Sequence, residues 1–238
     1  MRTEMNRIVT SLRSLVKEQG LATTSSRIAA VARGQLTYPI IRARRQNDRF
    51  SFRGQDLPYA FARYNNSFLN ERTVEIAIAD YFLAAGKGRL LEIGNVLAHY
   101  GHPGHTVVDK YETIPGVLNV DIVDFKPEEP FDTVVAISTL EHVGWDEEPR
   151  EPDKILRAVE AVRACMADGG RLLITLPIGY NRRLDDALRA GEIKFPQESW
   201  LVRINQRNDW VEADRDECLT RKYGEPFTGA NGLYVGTI

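Results

Sequence analysis

From residue 71 onward the chain alternates segments of helical length with short apolar, β-branched runs, and this alternation constrains the fold more than any other feature. Glu71–Ala85 has the length and apolar periodicity of a helix and is stopped by Gly86-Lys87-Gly88. Arg89–Ile93, Thr106–Val108, Val117–Ile122, Asp132–Ile137 and Arg171–Leu176 read as strands. Further helices are expected over Asp153–Met166, closed by Asp168-Gly169-Gly170, and over the charged stretch Arg183–Ala190. This βαβ grammar implies an α/β fold, a parallel sheet with helices on both faces. Trp200–Ile204, Trp210–Glu212 and Gly232–Ile238 carry the signals of an antiparallel hairpin that completes the sheet.

Ligands of such sheets bind at the carboxyl ends of the strands, where strand order reverses. The expected strand ends read Glu92-Ile93-Gly94-Asn95, Val108-Asp109, Asp121-Ile122 and Ser138-Thr139-Leu140-Glu141-His142. Gly94 allows a tight turn and a close backbone approach. Asp109 is placed to accept hydrogen bonds from a ribose diol, and Asp121 from an adenine amine, with Ile122 as an apolar neighbour of the ring. A dinucleotide pyrophosphate needs a second glycine, and Gly94 is followed by Asn95-Val96-Leu97. That weighs against a nicotinamide-dependent oxidoreductase.

Glu92-x-Gly94, then Asp109, Asn119-Val120-Asp121, Phe131-Asp132-Thr133-Val134-Val135 and Asp168-Gly169-Gly170-Arg171-Leu172 form an ordered set spanning residues 88–178. The set resembles the class I S-adenosylmethionine-dependent methyltransferases. The resemblance implies a Rossmann-like, doubly wound sheet of about seven strands with the last antiparallel, and S-adenosylmethionine as cofactor. It implies Glu92 and Gly94, with Asn95 in the same turn, at the methionine end, Asp109 at the ribose, Asp121 and Ile122 at the adenine, and Ser138 on the cofactor floor. Tyr64–Arg72, Glu141–Asp146 and Tyr223–Leu233 look like a branch of methyltransferase-like proteins associated with polysaccharide and glycoconjugate gene neighbourhoods. That likeness implies a small-molecule or glycan acceptor, methylated at oxygen.

Methyl transfer from a sulfonium is an in-line displacement that asks the protein chiefly for orientation. An alcohol acceptor also benefits from a general base. His142 is the candidate, oriented by Glu141; the alternative is that both residues only shape the cofactor pocket. Tyr64, Asn66, Arg72, Trp145 and Tyr180 are candidates for the acceptor side. Asn70 is also placed to cap the following helix. His99, His102 and His105 crowd one turn, but Pro103-Gly104 spaces them irregularly and no cysteine or i, i+4 histidine pair accompanies them. They read as loop residues or a second base, and no metal is expected.

A net charge of −2 argues against a nucleic-acid binder, yet residues 1–53 carry eleven Arg/Lys against three acids, so residues 54–238 hold a net −10. Two parts are therefore expected: a basic helical extension over 1–53, with an amphipathic helix at 4–19, and an α/β domain over 54–238. The extension suits an anionic membrane surface, a protein partner or the chain's own acidic domain. No apolar stretch reaches the roughly 18 residues of a spanning helix. Cys165 and Cys218, far apart, fit free thiols in a reducing, cytoplasmic setting. A non-catalytic binding or assembly subunit built on the same fold is the alternative function.

Overall fold

The computed structural model describes residues 36–86 and 88–238. Residues 36–45 are helical and belong to a unit of their own, residues 1–45; the expected helix at 4–19 lies outside the described residues, as does most of the basic extension. The larger unit begins at Gln46. The hairpin of β1 (Arg49–Phe52) and β2 (Gln55–Pro58) therefore lies wholly inside it, although the charge pattern puts a boundary at its turn.

The chain then runs through α1 (Arg72–Ala84), β3 (Leu90–Ile93), β4 (Thr106–Val108), β5 (Val117–Leu118), β6 (Phe131–Ile137), α2 (Lys154–Ala164) and β7 (Met166–Pro177). It ends with α3 (Arg182–Ala190), β8 (Gln197–Arg203), β9 (Trp210–Glu212), α4 (Arg215–Cys218) and β10 (Gly232–Thr237). The main sheet has eight strands in the order β5-β4-β3-β6-β7-β10-β8-β9. β3 to β7 are mutually parallel, and β10, the last in sequence, inserts antiparallel between β7 and β8. This is the Rossmann-like sheet expected, extended by β9 at one edge.

Both faces are covered, and side-chain alternation sorts the core between them. Val134 and Ala136 of β6 and Leu172, Ile174 and Leu176 of β7 pack with Ile155, Val159 and Val162 of α2 and Leu184 and Leu188 of α3. On the other face Val135, Ile137, Leu173, Leu233 and Val235 meet Val74, Ile78 and Phe82 of α1 and Phe50, Phe52 and Leu57 of the hairpin. Each Val, Leu, Ile or Phe among them contributes roughly 1.5–3 kcal/mol on burial.

Two boundaries differ from expectation. The helix expected to reach Met166 ends at Ala164, because the Phe131 amide donates to Cys165 O and Met166 already pairs with Phe131. Gly169-Gly170 consequently lies inside a long β7, where a Cβ on Gly170 would stand 2.8 Å from Ala167 O. The strand expected over Val117–Ile122 stops at Leu118. Asn119 Nδ2 donates to Asp109 O and Lys110 O, and Asp121 Oδ1 accepts the Val123 amide, so short polar side chains take over the backbone there.

The chain leaves β3 outward to β4 and β5, then returns to β6 on the other side, which opens a crevice at the carboxyl ends of these strands. Residues 94–105, 109–116 and 119–130, which join the strands from β3 to β6, contain no α-helix, only a 3-10 turn at Leu97–Tyr100. One wall of the crevice is therefore built of loops.

Candidate active site

A cavity of about 400 Å³ occupies this crevice. Ile93, Val108, Val120, Ile122 and Val143 supply apolar walls, while Gly94, Asp109, Lys110, Asp121, Thr139, His142 and Glu147 supply the turn and the polar groups. Among the expected cofactor residues, Gly94, Asp109, Asp121 and Ile122 come together here. Glu92, Asn95 and Ser138 do not.

Glu92 is fully buried behind the turn. Its Oε1 accepts the amides of Val96 (2.8 Å) and Leu97 (2.7 Å), and its Oε2 pairs with His105 Nε2 at 2.7 Å. The carboxylate expected at the methionine end instead shapes the loop that follows β3. Gly94 has φ +83°, and a Cβ there would lie 2.3 Å from Thr139 Oγ1, so the tips of β3 and β6 approach too closely for a side chain. Thr139 takes the lining position expected of Ser138, whose hydroxyl turns to the buried Glu75. Asn95, half-buried, is not part of the cavity wall.

Asp109 folds its own loop through Oδ1, which accepts the Tyr111 and Glu112 amides at 2.8 Å each, and among the described residues nothing donates to its Oδ2. Asp121 sits in a four-membered charge cluster. Its Oδ2 receives Lys154 Nζ at 2.5 Å and Lys110 Nζ at 2.9 Å, and both ammonium groups also reach Glu147 Oε2, at 2.6 and 2.8 Å. Burial pushes the Asp121 carboxyl up, and the hydrogen bonds from Lys154 and Lys110 outweigh it, leaving the group below the ordinary carboxylate range. Glu147 behaves likewise, with Lys110 the stronger of its two lysine partners. The pairing with Glu147 raises the Lys110 ammonium. Two positive and two negative charges balance, and the Asp121 carboxylate expected to meet an adenine amine is already salt-linked.

At the rim, His142 Nδ1 lies 2.5 Å from Asp146 Oδ2, four residues further on across a non-helical turn, and the Tyr180 hydroxyl donates to the same oxygen at 2.5 Å. A carboxylate at Nδ1 accepts from that nitrogen, an arrangement that favours, in a neutral ring, the tautomer whose Nε2 accepts. The orienting group is therefore Asp146 and not Glu141, whose Oε1 is 3.6 Å from Nε2, beyond hydrogen-bond range. Asp146 escapes a reading that looks only at the adjacent residue, because the turn through the extended Val143 and Gly144, φ +71°, brings it back to the ring. Tyr180 packs edge-on against both His142 and Tyr223, and burial pushes its phenol up.

Glu141 is enclosed, its Oε2 makes no hydrogen bond among the described residues, and burial holds its carboxyl well above the ordinary range. A carboxyl raised in the folded state stabilises fully below its unfolded pKa of about 4.3, and that contribution is lost as pH rises toward the folded value. Glu141→Gln is accordingly expected to be more stable than the parent at alkaline pH, by about 1–3 kcal/mol. The advantage should fade on acidification, as read by thermal denaturation across pH; an advantage independent of pH refutes the buried neutral acid.

The remaining expected acceptor residues lie away from the cavity wall. Arg72 donates to Ile137 O at 3.0 Å and pairs with Glu75 at 3.2 Å, so its guanidinium ties α1 to the tip of β6. Tyr64 stacks on His99 with centroids 4.0 Å apart, and Trp145 is covered by the Arg150 guanidinium at 4.6 Å. Asn66 has φ +48°, a left-handed turn within the 3-10 segment Tyr64–Leu69. Asn70 does act at the helix start, its Oδ1 accepting the Arg72 amide. The crowded histidines part company: His99 stacks on Tyr64, His102 pairs with Asp80 and His105 with Glu92. Among the described residues no three metal-ligating side chains gather.

No family model matches the chain, and no curated protein sequence matches it. Solved structures of similar shape include the N-methyltransferase NodS from Bradyrhizobium japonicum WM9 in complex with S-adenosyl-l-homocysteine, 16% identical over 84% of this chain and 96% of that one, TM-score 0.41. Others are the 1,6-didemethyltoxoflavin-N1-methyltransferase of Burkholderia thailandensis (15%, 69% and 75%, TM-score 0.39) and the sugar N-methyltransferase KedS8 from Streptoalloteichus sp ATCC 53650 (14%, 68% and 84%, TM-score 0.33). Similarity at this level assigns the chain no activity.

Proposed function

We propose that this protein is an S-adenosylmethionine-dependent methyltransferase acting at a hydroxyl of a small-molecule or glycan acceptor. One observation carries the reading: Gly94, Asp109, Ile122 and His142, from four different strand ends, line a single cavity at the reversal of strand order. Its volume suits a nucleoside-sized ligand, its aliphatic walls suit a flat base, and Asp109 Oδ2 is the acceptor left for a ribose diol. The bound donor supplies the electrophilic methyl group. His142 Nε2, set by Asp146, takes the proton as the acceptor oxygen attacks, and the loops after β6 and β7 hold the acceptor in line.

Titration calorimetry with S-adenosylmethionine and S-adenosylhomocysteine tests this; absence of binding by both at millimolar concentration removes it. Asp109→Asn, which keeps an oxygen for the Tyr111 and Glu112 amides, is expected to weaken S-adenosylhomocysteine binding about tenfold through loss of charge-assisted hydrogen bonds. An unchanged affinity dissociates Asp109 from the ribose.

A non-catalytic binding subunit is the second reading, favoured by one feature. Lys110 and Lys154 already saturate Asp121 Oδ2, and Lys110, Asp121 and Glu147 stand in the cavity wall. The same calorimetry separates the two, since a subunit that has lost the donor site shows no heat with either ligand.

A further inference from the structure

A second, wider cleft, about 690 Å³, opens at the opposite end of the strands, where β7 and β8 begin and β10 ends. Two arginines line it, Arg53 and Arg171, with Tyr81, Gln197, Thr237 and Ile238, and no aspartate or glutamate side chain is in its wall. Arg53 occupies the first turn position between β1 and β2 with φ +52°, followed by Gly54 at φ +73°. Both central residues of this two-residue turn thus have positive φ, which favours Asn, Asp or Gly; an arginine there is costly unless its side chain is needed. Its guanidinium donates to three neutral acceptors, Ser199 Oγ (2.8 Å), Gln197 Oε1 (3.1 Å) and Thr237 Oγ1 (2.8 Å). The nearby Glu212 carboxylate accepts only the Arg53 backbone amide. Burial consequently pushes the Arg53 guanidinium down from its ordinary pKa.

Arg171 lies over the Phe82 ring, 4.0 Å from its centroid, and makes no ion pair among the described residues. Among the described residues, the enclosed Arg53 Nη2 and Arg171 Nη1 have no hydrogen-bond partner. Thr237 is paired with Leu173, so Arg171, two residues earlier on β7, is on the same face and diagonal to Thr237, a separation of about 7–8 Å. Two half-buried guanidinium groups beside one cleft, neither in a side-chain ion pair among the described residues, repel each other there. A ligand with several anionic oxygens resolves the repulsion, and the forked guanidinium matches phosphate geometry.

We propose that this cleft binds a phosphate-type oxyanion, gripped between Arg53 and Arg171, with the hydroxyl of Tyr81 at its edge. The site is independent of the donor cavity at the other end of the strands. Calorimetric titration of the full chain with inorganic pyrophosphate, in a buffer with chloride as the only other anion, tests it. One site is expected, with affinity falling about tenfold or more in Arg53→Gln and in Arg171→Gln. Arg171→Lys, which keeps charge but loses the fork, should fall between; it carries the test where a glutamine variant does not fold by circular dichroism. Vesicles of phosphatidylglycerol distinguish the source: binding that depends on Arg171 identifies a lipid headgroup, and pyrophosphate binding alone identifies a soluble ligand. No binding of pyrophosphate or vesicles by the parent protein overturns the proposal. So does binding that neither arginine influences, or an equal affinity for succinate, which would make the site one for carboxylates.

Discussion

Replacing Lys154 by methionine is expected to lower the free energy of unfolding by about 3 kcal/mol at neutral pH, because it leaves two enclosed carboxylates sharing one ammonium. Lys154 is the buried member of the cluster, its side chain 8% exposed, whereas Lys110 at 35% faces the opening. With both lysines present, the depressed Asp121 and Glu147 carboxyls stabilise the fold above their unfolded pKa values near pH 4, and that contribution is lost as pH falls through the folded values. The raised Lys110 ammonium acts oppositely, stabilising below its unfolded pKa of about 10.4. Without Lys154, burial dominates at the carboxyls and they resist ionisation. The deficit of Lys154→Met should therefore be largest at neutral pH and shrink as pH approaches about 4. Adding Glu147→Gln restores one charge of each sign, Lys110 against Asp121, and should recover most of the lost stability. Thermal unfolding of the single and double variants across pH is the measurement. A double variant no more stable than Lys154→Met would mean that packing, not charge balance, is what Lys154 contributes.

This cluster shows what sequence reasoning reaches and what it does not. β6 is legible because a strand paired on both sides and covered on both faces must be apolar almost throughout, as Val134 to Ile137 are. Asp109 and Asp121 are legible as strand-tip carboxylates. Lys154 is not, since a lysine in the first turn of a charged helix carries the same pattern whether it faces solvent or a buried acid. Its role comes from Asp121 and Glu147, brought to it only by the fold. Glu92 misleads for the converse reason: a carboxylate beside a strand-end glycine has the pattern of a ligand contact, and only His105 and the amides of Val96 and Leu97 reveal it as a loop brace. Ser138 and Thr139 differ by one position, and the bend at Ser138, φ +39°, decides which of them faces the cavity. Arg53 is a further case. Its place in a two-residue turn appears only in the structure, and the partners of its side chain lie far along the chain.

His142→Ala is expected to reduce methyl transfer by about 10²–10⁴-fold, while S-adenosylhomocysteine affinity changes by less than about threefold. The asymmetry follows from position: the imidazole is at the rim, held by Asp146 and Tyr180, and its free Nε2 has work to do only when an acceptor proton leaves. Asp146→Asn probes the same step without removing the ring. An asparagine amide can donate to Nδ1, which favours the tautomer protonated on Nε2, and a protonated Nε2 accepts nothing. A loss comparable to that of His142→Ala is therefore expected from a change that removes only one charge. Glu141→Gln, by contrast, should keep turnover within a few-fold, since Glu141 does not reach the imidazole within hydrogen-bond distance. Release of S-adenosylhomocysteine against a panel of hydroxylated sugars and small alcohols reads all three. Full turnover in His142→Ala would remove the base and leave orientation as the protein's whole contribution. Equal losses in Glu141→Gln and Asp146→Asn would return the orienting role to the buried carboxyl.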